Sequence, residues 1–409
     1  MVDNGEDLHG WARDLFPITR SLTGDGVRTT LDYLGSLLPG LQVHDVPTGT
    51  QVFDWQIPAE WNIRDAYIAD ANGERCIDFQ NSNLHVVGYS EPVDAMLTRA
   101  ELEPHLHSLP ELPDAIPYVT SYYRRNWGFC LSEHQRQQLG DGPFRVVIDS
   151  TLEPGSLTYG EVRIPGETPD EVLLSTYICH PSMANNELSG PVVATALGRW
   201  LQSLPDRRLS YRIVFLPETI GSITYLSRNL PHLKEHLVAG WVLTCIGDDR
   251  TYSYLPSRYG DNLADRISRQ VIDDLALDCE VYSFLDRGSD ERQYCAPGVD
   301  LPVASLMRSK YGEYPEYHTS LDDLTLVTAT GLQGGLDMMK HALLLAEANR
   351  TWRTTVLCEP QMGKRGLYPT TSTRGSGMSV RSMMNALAYF DGTNDLQQVV
   401  RPVEVGERV

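Results

Sequence analysis

No run in this chain approaches the roughly 20 consecutive apolar residues of a bilayer-spanning helix. Its N-terminus, MVDNGEDLHGW, is acidic and has neither the basic region nor the apolar stretch of a secretory leader. Cysteine is sparse and unpatterned. The seven residues at 76, 130, 179, 245, 279, 295 and 358 form no CxxC pair and are odd in number, so they read as small buried hydrophobes in a reducing compartment. These absences predict a cytoplasmic location. Positive charge is also scarce: 34 Lys plus Arg stand against 54 Asp plus Glu, a net charge of −20. Such a field repels phosphate backbones and anionic lipid, which excludes a general nucleic-acid or membrane-surface role. It suits solubility first and an amine-bearing partner second. No GxSxG elbow, Walker motif or dinucleotide fingerprint follows any predicted strand, and the glycines of LTGDG read as a turn.

What is present is ordinary for a chain that buries a large core: 409 residues, 41% hydrophobic and 22% charged. At roughly 150 residues per domain this predicts two or three domains. The first 40 residues read as two short helices around SLTGDG. Residues 50–115 are β-rich, with WNIRDAYIAD and LHVVGYS as strands, and close in the Pro-rich LPELPDAIP. From residue 144 strands alternate with helices. FRVVIDS, EVLLSTYI, YRIVFLP, GWVLTCI and VASLMR are compact β-branched runs of the kind covered on both faces. SGPVVATALGRWLQSL, ITYLSRNLPHLKEHL, DNLADRISRQVIDDLAL and GLQGGLDMMKHALLLAEAN are helical between or after them. The fold class is therefore α/β, with a mostly parallel sheet sandwiched by helices. Residues 351–409 escape the acidic bias, with seven Lys plus Arg against five Asp plus Glu, and VRSMMNALAYFDGTNDLQQVV reads as two short helices around a turn.

In a parallel sheet functional residues gather beyond the carboxyl ends of the strands. EVLLSTYI runs into Cys179 and His180, with Glu187 seven residues after the histidine. YRIVFLP ends at Glu218, and the loop after VASLMR holds His318. Two histidines and two glutamates on one rim are the donor set of a hydrolytic zinc site: ligands, an open position for water, and a spare carboxylate as base.

The run ANNELSG resembles the Asn-Asp-Asn-x-Ser-Gly segment of the leucine-aminopeptidase-type zinc peptidases, a group that includes the glutaminyl cyclases. FLPETIGS resembles their strand ending in Glu-Glu-x-Gly, RGSDERQYCAPGVDLP their Ser-Asp-His with a Gly-x-Pro turn, and EYHTSLDDL their Tyr-His-Thr-x-x-Asp. The whole chain looks closer still to bacterial aminopeptidase-like proteins that carry an inserted small β domain and a C-terminal winged-helix-like segment. That layout implies a discontinuous catalytic domain of residues 1–49 and 116–350, an insertion of 50–115, and a winged-helix-like segment of 351–409.

The resemblance implies one zinc ion rather than two. Its two histidines match His180 and His318, but the bridging Asp falls on Asn186, the ligand Glu on Thr219 and the further Asp near Thr244. The expected ligands are His180, Glu187 and His318, with Glu218 as general base. Asn186 and Asp322 are expected beside the ligands, Asp322 orienting the His318 loop. Asp290, Glu291, Arg308, Tyr311 and Tyr317 are expected substrate contacts, Asp290 and Glu291 toward an α-ammonium. A loop-fixing salt bridge to Arg292 is an equal reading of those two carboxylates, and SYYRRNWGFC is either a substrate wall or a packing surface. The implied activity is a zinc-dependent amidohydrolase of aminopeptidase type, acting on a small peptide or an amine-bearing metabolite. Single-zinc cyclisation or acyl transfer and a non-catalytic binding role are the alternatives. No nucleic-acid or membrane partner is expected, and a homo-oligomer is left open.

Overall fold

Both faces of the central strands are apolar, and the chain covers both. The computed structural model describes residues 3–367 and 378–400. Its large sheet has eight strands: β1 (Gln42–Pro47), β2 (Ser156–Ile164), β3 (Glu171–Tyr177), β4 (Ser210–Leu216), β5 (Leu237–Val242), β6 (Tyr252–Leu255), β7 (Cys279–Val281) and β8 (Val303–Met307). Their spatial order is β1-β2-β4-β3-β5-β8-β6-β7. The central four, β4-β3-β5-β8, are parallel, while β1, β2 and β6 join antiparallel to their inner neighbours.

Side chains alternate across a strand, so each central strand feeds two cores. On β3, Val172 and Leu174 enter a core with Leu8, Leu31, Val193 and Leu336, whereas Leu173 and Tyr177 enter a second core with Val146, Ile148 and Ile223. The first core is closed by α1 (Gly5–Leu15), α2 (Asp25–Leu37), α3 (Ser189–Ser203), α5 (Leu263–Asp274) and α6 (Ala329–Ala348). The second is closed by α4 (Ile220–His236) and by the four-stranded antiparallel sheet described below. The chain leaves β3 through α3 on one face to reach β4. It then crosses on the opposite face, through α4, to β5 on the far side of β3. That reversal leaves a crevice beyond the carboxyl ends of β3 and β4. Gly190 lets α3 lie against the sheet there, since a Cβ would fall 2.2 Å from the Leu243 carbonyl oxygen.

Three elements differ from expectation. FRVVIDS lies in the small sheet, not the large one. Strand Phe144–Glu153 is its second member, antiparallel to Glu60–Ala69 and to Val93–Leu97, with Arg75–Asp78 on the outer edge. Its apolar alternation suits either sheet, and only the long pairing with Glu60–Ala69 decides. The small sheet therefore runs past the expected boundary at residue 115. LHVVGYS is a short 3-10 turn, Asn83–His85, followed by irregular backbone rather than a strand. In the C-terminal segment, helix Met378–Tyr389 is followed by strand Asp391–Asp395, which pairs with Thr351–Arg353 where a plain turn was expected. The second expected helix is present at residues 396–400, the last of the described residues. This segment meets the main body through an Arg266–Asp395 ion pair of 2.7 Å and a 3.0 Å hydrogen bond from the Gln397 amide to Asn349 Oδ1. Among the described residues no helix is long and apolar enough to cross a membrane.

Candidate active site

Strands β3 and β4 end level, Tyr177 opposite Leu216, so the residues just past them emerge side by side. His180 Nε2 lies 3.8 Å from Glu218 Oε2. Both line a pocket of about 310 Å³ together with His318, Thr219 and Arg292. The His318 ring stacks on Tyr317 at 3.9 Å between centroids and lies 5.5 Å from the His180 ring. Tyr118 meets both imidazoles edge-on, at 5.1 and 5.2 Å. The His318 loop is tied to the segment that enters from the small sheet: its carbonyl accepts from the Tyr118 amide at 2.8 Å, and Ser320 exchanges hydrogen bonds with Ile116. His318 itself sits at φ +56°, a conformation uncommon for a residue with a Cβ.

Glu187 occupies a buried π-helical turn, Ala184–Leu188, and reaches the other edge of the His180 ring, with Oε2 2.8 Å from Nδ1. Its second oxygen stands 3.3 Å from the guanidinium of Arg20, which also donates to the His180 carbonyl at 2.9 Å. Arg20 is 1% exposed, and nothing in the sequence run ITRSLT marks it as part of a site. Cys179, His180 and Glu187 each bring one donor atom within 4.8 Å of the others. Burial opposes charge on His180, yet its pKa is held well above the ordinary value by Cys179 and Glu187. The Cys179 thiol is itself pushed up to about 11 by burial and is uncharged at neutral pH, so Glu187 is the effective partner. Burial, with the His180 charge second, pushes His318 down to about 3, and its Nε2 is buried with no hydrogen-bond partner. Burial also raises Glu218.

Asn186 and Asp322 lie beside this cluster. Asp322 accepts the backbone amides of Ala184, Asn185 and Asn186 at 3.2, 2.6 and 2.9 Å and the Tyr314 hydroxyl at 2.9 Å, which fixes the turn that carries Glu187. Asn186 donates to Tyr177 Oη at 2.8 Å and leaves Oδ1 buried and unpaired.

None of the five expected substrate contacts lines the pocket. Asp290 is fully buried and accepts from the Thr219 amide and the Ser222 hydroxyl, both at 2.7 Å. Thr219 has φ +63°, so Asp290 holds the strained turn that follows Glu218. Burial, then the Glu218 charge, pushes Asp290 up to about 7. Glu291 accepts the amides of Gly288 and Ser289 and the Tyr311 hydroxyl, at 2.9, 3.0 and 2.6 Å. The alternative salt bridge of these carboxylates to Arg292 does not form either, because Arg292 donates to Thr219 Oγ1 at 2.5 Å. Arg308 lies over the Tyr252 ring at 3.9 Å, and Tyr317 reaches the pocket only by backing His318. The wall also includes Trp55, from a hairpin before the Glu60 strand, and Tyr122 and Tyr123, from the segment before the Phe144 strand, with Trp55 and Tyr123 edge-on at 5.6 Å. SYYRRNWGFC thus supplies a wall through its two tyrosines. The sequence marks Trp55 only as a large aromatic beside a tight turn.

A family model described as a domain of unknown function (DUF4910) matches residues 9–349, and one described as winged helix-turn-helix matches residues 350–406. A Clostridium acetobutylicum protein is 47% identical over 367 residues, 90% of this chain and 84% of its own length. It is named provisionally as a polysaccharide biosynthesis protein with an aminopeptidase-like domain. A crystal structure from the same organism, described provisionally as a peptidase, is 44% identical with a TM-score of 0.90, covering 98% of this chain and 91% of its own. The zinc aminopeptidase of Bacillus subtilis is 14% identical with a TM-score of 0.59, covering 85% of this chain and 96% of its own. At that identity the likeness establishes the fold, an aminopeptidase-like α/β sandwich.

Proposed function

Because the chain belongs to the family described as a domain of unknown function (DUF4910), with a zinc-aminopeptidase fold, we propose that it is a single-metal amidohydrolase of aminopeptidase type. The observation that carries this reading is the convergence of His180, His318 and Glu218 on one small pocket, with His318 Nε2 buried and unpartnered. His180 and His318, whose rings lie 5.5 Å apart, would hold one ion. His180 Nε2 faces Glu218 at 3.8 Å, beyond hydrogen-bond length, while Nδ1 is held by a carboxylate, the arrangement that orients a metal-binding imidazole. We therefore assign His180 and His318 as ligands and move Glu187 from the expected ligand set to the residue that orients His180. A zinc ion held there supplies Lewis acidity to the scissile carbonyl and to water.

The chain's own residues do the rest. Glu218 takes a proton from the attacking water and passes it to the leaving amine. Asp290 keeps Glu218 in place through the Thr219 turn, and Arg292 stands beside it. Tyr118, Trp55, Tyr122 and Tyr123 close the pocket against bulk water and present an apolar surface to the substrate. The name of the Clostridium relative favours an amide on a small biosynthetic metabolite over general peptide trimming. We place the protein in the cytoplasm, in keeping with its free cysteines.

Metal analysis of wild type beside His180→Ala, with a panel of dipeptides and aminoacyl anilides, tests the assignment. The expected result is one zinc per chain in wild type, loss of zinc in His180→Ala, and loss of hydrolysis but not of zinc in Glu218→Gln. Product mass distinguishes hydrolysis, which adds a water, from cyclisation. Full hydrolysis after zinc removal overturns the reading.

A further inference from the structure

Arg292 has two faces. One lines the pocket of His180 and Glu218, and the other lines a separate cleft of about 490 Å³. Arg258 and Arg287 line the same cleft, and among the described residues no carboxylate does, in a chain where 54 acidic residues outnumber 34 basic ones. Arg287 and Arg292 form no ion pair among the described residues, and Arg258 forms one. Among those residues the one hydrogen bond of Arg292 is to Thr219, and its Nε is buried and unpaired. Among the described residues Arg287 makes one hydrogen bond, to the Phe284 carbonyl at 3.5 Å, and lies over the Phe284 ring at 5.0 Å. Arg258 is anchored by Asp300, yet its Nε is also buried and unpaired. Apolar surface stands open among them, with Tyr259 75% and Leu285 80% exposed beside Phe284. Unspent guanidinium donors set among apolar side chains match a ligand with an apolar body and an anionic end.

We propose that this cleft binds the anionic end, carboxylate or phosphoryl, of the same substrate whose amide lies between His180, His318 and Glu218. The inference rests on that reading of the pocket, and Arg292 is the junction between the two halves. The substrate class becomes an amide-bearing metabolite with an acidic terminus, held against the protein's overall charge by a local positive patch.

Calorimetric titration of the full chain with phenyl phosphate, phenylacetate and neutral 2-phenylacetamide tests it. The anionic probes should bind, each weakening with added salt, and the neutral amide should bind at least roughly tenfold more weakly. Binding of phenyl phosphate alone, or of phenylacetate alone, identifies which anion the cleft takes, and either supports the proposal. Arg287→Glu should weaken anion binding at least roughly tenfold, and Arg287→Lys should restore most of it, with thermal melting showing both variants folded. The same titration in Glu218→Gln should match wild type, because that variant removes the proposed base and leaves the cleft intact. If wild type hydrolyses no amide, the hydrolase reading falls while the titration still reports on the cleft; if Glu218→Gln keeps hydrolytic activity, only the base assignment falls. Equal affinity for the neutral amide, or no effect of Arg287→Glu, overturns the subsite.

Discussion

At the scale of single residues, the site depends on which edge of His180 each carboxylate meets. Glu187 holds Nδ1 at 2.8 Å and Glu218 stands off Nε2 at 3.8 Å, so one orients the ring while the other faces the pocket. Spacing along the chain shows that both glutamates reach one rim but not which nitrogen each will face. Glu187→Gln should keep the fold and lower zinc affinity by roughly 10–100-fold, read by competition with a chromogenic chelator. Unchanged affinity would show that Glu187 does not orient a ligand. Arg20 explains why Glu187 is tolerated in the core, since a buried carboxylate without a partner is costly. No sequence pattern points to Arg20, because the pairing joins residues 167 positions apart.

At the scale of elements, two devices position the site. The first is the hairpin of Gln51–Val52 and Trp55–Gln56, which carries Trp55 to the pocket wall. Trp55→Ala should raise KM for substrates with a bulky apolar group while leaving kcat nearly unchanged, as expected for a residue that binds ground and transition states alike. A fall in kcat with KM constant would contradict that role.

The second device is Arg212 on β4, buried between Glu161 on β2 and Glu171 on β3, with Tyr225 of α4 completing the network. It locks the strands whose ends carry His180 and Glu218. Arg212→Met should destabilise the fold by about 3–5 kcal/mol, because two buried carboxylates lose their partner. Burial pushes Glu161 up, but the Tyr225 hydroxyl and Arg212 outweigh it and leave the carboxyl below its ordinary range. Its folded value therefore lies under the unfolded one of about 4.3. The stabilisation is present above that pH and is lost as pH falls through the folded value. Urea melts from about pH 3 to pH 7 should show wild type losing this increment on the acid side and Arg212→Met showing a shallower loss.

At the scale of the whole molecule, charge and the C-terminal segment bear on partners. That segment matches a winged helix-turn-helix model, a type that often meets DNA through a basic helix. Here seven basic and five acidic side chains give too small a surplus to offset the rest of the chain. We expect no shift of random duplex DNA in a gel assay at low salt, and a salt-sensitive shift would overturn that view. Its contacts suit packing against the body, since Asp395 and Gln397 bind Arg266 and Asn349 there.

The sequence by itself determined the α/β class, most of the sheet and its helices, and the three residues on the pocket, because these follow from local periodicity and from the rule that functional residues lie past strand ends. Only tertiary structure decided three further matters. The Phe144–Glu153 strand joined the small sheet, since an apolar alternation does not specify its partner. Asp290, Glu291 and Arg308 turned inward to backbone amides and an aromatic ring, since a loop's sequence does not state which way its charges face. Arg258, Arg287 and Arg292, spread over 35 positions, came to line one cleft, and the net charge of −20 gives no hint of that local reversal of sign. In each case the physical reason is the same: pairing, burial and electrostatic focusing depend on distance in space, and residues far apart in the chain acquire those distances only on folding.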